Sequence, residues 1–178
     1  MAGFFTAATF RIQGSAGTPQ NLFTIENIDS TKLVYIRKLV LQMDMTVALA
    51  TVTPLIKVSR ATGVPSGGTV TAKGLFDASA ASNANTIVRG ATASDGGALT
   101  TITATAGDVL WEQFIMRLHT AVGQVLTPDQ DLLPAALIAA QQFILRQNQA
   151  LAVQIVAPAG GSNPATNWYA VECAWEEN

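Results

Sequence analysis

His119 and Cys173 are the only histidine and cysteine in this 178-residue chain. They are the side chains that would ordinarily supply a general base and a nucleophile near neutral pH. A nucleophilic site needs two such groups side by side. His119 ends a strand-like segment and reads as a surface or interface imidazole. Cys173 falls on the core-facing register of the last alternating segment, where a thiol serves as a small buried hydrophobe. Glu172 and Glu176 share one face of that segment, roughly 13 Å apart at strand rise. That is too wide for the carboxylate pair of a glycosidase, and they read as edge charges in water. Asp129-Gln130-Asp131 has the first half of an acidic calcium loop but lacks the downstream Gly and bidentate Glu. Gly63 to Thr69 is Gly-rich, yet no Lys closes it as a phosphate cradle and no helix follows. The expectation is a protein with no catalytic, metal or cofactor site.

Composition narrows the remaining classes. Charged residues make up 12% of the chain, against about 25% in ordinary soluble domains, while 49% are apolar. Part of the surface is therefore expected to be covered by a neighbour. Net charge is −2, and Arg37-Lys38 is the one adjacent basic pair, so no basic stripe exists for nucleic acid. Apolar runs fall far short of the ~20 residues that span a bilayer. The first residues, MAGFFTAATF, lack the positive region of a secretory signal, which reads as a cytoplasmic product. One cysteine excludes an intrachain disulfide, so packing must stabilise the fold.

Alternation supplies that packing. Tyr169, Val171, Cys173 and Trp175 fall on one face of the last segment, and Leu151, Val153 and Ile155 on one face of the segment before it. Gln142 to Glu177 reads as three strands folded back on one another. Phe4 to Arg11 and Asn21 to Ile28 predict two strands separated by the loop Gly14 to Pro19. In Leu33 to Met45, Leu39, Leu41, Met43 and Met45 share a face opposite Val40, Gln42 and Asp44, whereas before Arg37 both faces are apolar (Val34, Tyr35, Ile36). The strand is therefore expected either to be central or to change its burial part way along, through a bulge. Pro54 to Thr62 alternates up to Gly63-Val64-Pro65-Ser66-Gly67-Gly68, after which Thr69 to Lys73 resumes, so a hairpin is expected. Ala78 to Gly107 is a low-complexity mixture with strand character at Thr86 to Arg89 and Ala98 to Thr103.

Two segments carry more bulk than a lone sandwich needs. In Asp108 to His119 both faces are large, leaving Trp111 and Ile115 outside if the other set lines the core. Thr127-Pro128-Asp129-Gln130 has the grammar of a helix start, predicting a short helical insertion near 128–140. Leu132, Leu133, Leu137 and Ile138 make it greasy. These six residues are the candidate oligomer interface. The whole reads as one all-β domain over 1–178, an antiparallel β-sandwich of about eight to ten strands with jelly-roll topology. The first thirty residues are either part of it or an arm over a neighbour.

Three stretches carry a family likeness. Arg60-Ala61-Thr62-Gly63-Val64-Pro65-Ser66-Gly67-Gly68-Thr69 resembles the R-x-T-G-x-P-S-G-G-T hairpin of small β-sandwich structural proteins of tailed bacteriophages. Phe143 to Leu151 resembles their L-R-P-G-E-x-L turn, with Gln147-Asn148-Gln149 in place of Pro-Gly-Glu. Ala174-Trp175-Glu176-Glu177 resembles their closing W-x-E. The resemblance runs from about Leu33 to the C-terminal residues. It implies a non-enzymatic virion protein, a capsid decoration or head accessory component. Such a protein would be a homotrimer whose partners are itself and a major capsid or other virion protein, with neither nucleic acid nor membrane. The alternative is a tail, receptor-binding or carbohydrate-binding module, in which Trp168 or Tyr35 would serve.

Overall fold

A computed structural model describes residues 3–9, 12–13, 20–44, 55–75, 86–91, 102–114, 130–133, 143–156 and 168–178. These residues contain no helix and form two antiparallel sheets. The strands are β1 (Gly3–Ala8), β2 (Ile12–Gln13), β3 (Gln20–Asn27), β4 (Val34–Asp44), β5 (Leu55–Gly67), β6 (Thr69–Val70), β7 (Gly74–Leu75), β8 (Thr86–Gly90), β9 (Ile102–Phe114), β10 (Gln130–Asp131), β11 (Phe143–Leu145), β12 (Gln149–Val156) and β13 (Trp168–Glu177). The first sheet runs β10-β4-β13-β1-β7, with β11 also on β4 and β2 on β13; the second runs β6-β8-β3-β12-β5-β9. Residues of both sheets share one apolar core, so the arrangement is sandwich-like.

The core follows from alternation. On β13, Tyr169, Val171, Cys173 and Trp175 are all at most 1% exposed, facing Leu151, Val153 and Ile155 of β12. The phase change on β4 is a bulge at Arg37: Ala174 pairs with Lys38 and Trp175 with Ile36, leaving Arg37 as the extra residue. Val34 and Ile36 before it, and Leu39 and Leu41 after it, thereby all point inward. β1 lies between β13 and β7, and β3 between β8 and β12, so residues 3–8 and 20–27 are built into the sheets.

Three expectations are corrected. The last three strands do not pair with one another. β11 and β13 both lie on β4, whereas β12 inserts between β3 and β5 in the other sheet. Their apolar faces meet across the core, not within a sheet. The Arg60 to Thr69 stretch is not a hairpin either. β5 runs through it to Gly67, paired with β9, and β6 then joins β8 at the far margin of the sheet. Gly63, Gly67 and Gly68 take φ of 84°, 71° and 64°, which steers the chain there. The far halves of β5 and β9 form a ribbon that folds back over the sheet: β9 packs against β3, although two strands, β12 and β5, stand between them in the order. Finally, within the expected helical insertion the described residues 130–133 form β10 and a bend, because Gln130 and Asp131 pair with Leu41 and Val40. Asp131 Oδ1 accepts from the Leu133 N–H at 2.9 Å, which turns the chain. The rest of the insertion lies outside the described residues.

Candidate functional surface

The interface residues separate into three groups. Leu132 and Leu133 are 0% and 3% exposed and belong to the subunit's own core. The Leu132 N–H bonds to Leu39 O at 2.8 Å, which draws the bend inward and withdraws both leucines from any neighbour. Ile115, Leu137 and Ile138, like His119, lie outside the described residues. Trp111 lies on β9, opposite Val58 of β5, and β9 is the margin of the second sheet.

That margin has two parts. On the far half of β9 the carbonyls of Ile102 and Ala104 accept from Asn21 Nδ2 at 2.9 and 3.3 Å, so a side chain caps backbone that would otherwise stand open. Along Gly107 to Phe114 no strand pairs with the outer side among the described residues. Val109 there is 49% exposed. Glu112 is tied inward to Lys57 at 3.4 Å. An uncapped strand edge offers a row of N–H and C=O groups to another extended chain.

The outward face of the first sheet carries a second constellation. Register sets Phe4, Glu176, Tyr35 and Ile144 side by side across β1, β13, β4 and β11. Phe4 is about half exposed. The bulge turns Arg37 onto this face, where its guanidinium lies 5.3 Å from the Tyr35 ring centre and donates through Nε to Glu176 Oε2 at 3.1 Å. Asn178 Nδ2 donates to Glu176 Oε1 at 2.7 Å. The Arg37 hydrogen bond holds the Glu176 carboxyl below its ordinary range. Glu172 pairs with Lys38 at 3.0 Å, so both glutamates of the last strand serve ion pairs.

Sequence reasoning missed one cluster. Between the sheets, Glu177 Oε1 accepts from Thr86 Oγ1 at 3.0 Å and from Trp175 Nε1 at 3.2 Å, and Glu177 is 2% exposed. Lys73 Nζ donates to Thr86 O at 2.9 Å and lies 5.8 Å from the centre of the Phe5 ring, which stacks on Trp175. Burial pushes the Lys73 amine down, and Glu177 opposes that shift. The W-x-E ending is therefore a clasp: a buried carboxylate on β13 holds β8 of the other sheet. No signal in the sequence joins Lys73, Thr86 and Glu177, because their partnership exists only after the sheets meet. Cys173 is fully buried, and its surroundings push the thiol well above its ordinary range. No group of three or more His, Cys, Asp or Glu suited to a metal occurs among the described residues.

Comparison with known protein families, with curated proteins and with solved structures gave no match.

Proposed function

We propose that this chain is a non-enzymatic structural protein of a bacteriophage virion, a jelly-roll sandwich that self-associates and decorates or cements the head. The observation that carries self-association is the β9 margin, where Val109 is half exposed and the backbone from Gly107 to Phe114 has no strand beside it among the described residues. The low charge density of the chain supports the same reading. The virion setting rests on the three motif resemblances alone, as do the trimer and the capsid protein as partner. A specific contact of this kind buries more than about 1,000 Å². Light scattering of the purified protein is expected to give an oligomer. Val109→Lys and Trp111→Ser, both on the margin, are expected to give folded monomers. A wild-type monomer at micromolar concentration refutes self-association, and absence of the chain from purified particles refutes the virion role.

A second reading has its own observation. Phe4 and Tyr35 flank the Arg37–Glu176 pair and Asn178 on an open sheet face. Two aromatic surfaces around fixed polar groups suit a saccharide or receptor surface, as a tail or receptor-binding component would need. Titration with host surface polysaccharide separates the readings: binding abolished by Tyr35→Ala favours this one.

A further inference from the structure

At its middle the second sheet is buried on both faces, and there the face turned away from the core carries polar side chains. Register places Thr24 and Glu26 of β3, Ala150 and Ala152 of β12, and Ser59 of β5 side by side there, each at most 2% exposed. Thr24 Oγ1, Glu26 Oε2 and Ser59 Oγ have no hydrogen-bond partner among the described residues. Such groups are more stable hydrated than dry and unpaired. The β5–β9 ribbon lies on this side. Within the sheet, β5 and β9 stand two and three strands from β3, roughly 10 and 14 Å away at strand spacing. Both nevertheless pack against β3. Asn21, which accepts from the outward Gln154 at 2.6 Å, holds β9 through Ile102 O and Ala104 O. Arg89 Nη1 holds the tip through Gly67 O at 3.2 Å. The β5–β9 register slips between Thr62 and Ser66, around Gly63.

We infer that this ribbon is a hinged lid over the polar face, closed while Glu26 is protonated and loosened when Glu26 ionises. The cover is held by a few side-chain bonds and by the burial of Pro65 and Ile102 at its far end, while the face beneath gains by hydration. Burial pushes the Glu26 carboxyl above its ordinary range, and the Arg89 charge opposes this with the smaller effect. Among the described residues, the groups facing Glu26 are few. β8 sets Ile87 opposite it and Arg89 diagonally; β12 sets Ala150 opposite, with Ala61 and Ser59 of β5 beyond. The ribbon residues 62–67 and 102–107 contain no titratable side chain. Arg60 extends to the other face, over the Phe143 ring.

The sign follows from linkage. Glu26 has a raised pKa in the closed form, so closure is fully favoured below the ordinary glutamate pKa and is lost as pH rises through the raised value. Between those limits the opening equilibrium increases up to tenfold per pH unit. Amide hydrogen exchange of the full chain, corrected for intrinsic rates, reads this directly. From about pH 4 upward, protection of 62–67 and 102–106 is expected to fall by up to tenfold per unit until the raised pKa is passed and then to level, while that of Val171 to Cys173 holds. In Glu26→Gln the ribbon slope is expected to vanish. A flat wild-type profile overturns the lid, as does a slope that survives in Glu26→Gln. Should that variant not fold, Asn21→Ala serves. Its ribbon protection is expected to drop by a constant factor with the slope retained, and loss of the slope overturns the assignment to Glu26.

Discussion

Replacing Glu177 by Ala and by Gln separates a clasp between sheets from a carboxylate that merely fills space. In the Ala variant, Trp175 Nε1 and Thr86 Oγ1 both lose their acceptor at a buried position. An orphaned buried donor costs about 1–3 kcal/mol. Thr86 still receives Lys73 Nζ at 3.3 Å, which orients the hydroxyl but gives its proton no acceptor. Lys73, partly buried over Phe5, also loses the carboxylate that favours its charged form. The expected loss is about 3 kcal/mol, a large share of the ~5–15 kcal/mol by which domains are stable. Gln keeps an acceptor oxygen at the same reach and forfeits only the charge, so about 1 kcal/mol is expected. Urea unfolding at pH 7, followed by Trp fluorescence, gives both numbers from the midpoint, provided the m-value is unchanged. Equal losses in the two variants, or an Ala loss below about 1 kcal/mol, would refute the clasp.

Other outcomes follow from single features. Asn148 has φ of 59° in the turn closed by the 3.0 Å bond from Gln149 N to Arg146 O. Asn148→Ala should therefore cost about 1 kcal/mol and Asn148→Gly close to none, read from thermal midpoints. Cys173 should resist a thiol reagent at pH 8 in the native state and react at once in denaturant, because burial holds its thiol far above the usual range. Glu176 has a depressed pKa through Arg37, so its contribution is present above the ordinary glutamate pKa and lost as pH falls through the lower folded value. Urea midpoints of Glu176→Gln should accordingly decline less than wild type below about pH 4.5.

What could be read from residue order was whatever repeats every second residue. The β13 and β12 faces were legible because one buried side of a strand imposes period two; on β4 the change before Arg37 showed as apolar residues on both faces, which fitted a central strand as well as the bulge that shifts the period by one. Turn chemistry was legible only in part. Asn148 occupies the left-handed position where the resembling turn has Gly, but the glycines around Val64 proved to steer a strand toward β8 and not to reverse it. Local grammar also failed at Gln130, where a helix start yields to pairing with the edge of β4. Leu132 and Leu133 were expected outside for the same reason: their contacts lie some ninety residues away in the chain. Glu26 and Glu177 gave no signal, since an acid in a strand pattern reads as wet until its neighbours cover it.

The place of β13 has a temporal consequence. It stands between β4 and β1, so those two strands do not pair with each other among the described residues and must wait for residues 168–177 before either gains its inner neighbour. On the ribosome, β1 and β4 would both emerge with this sheet still split into unsatisfied halves. Maturation is thus deferred until synthesis has passed residues 168–177, and a message truncated shortly before them would release a product with two sticky seams.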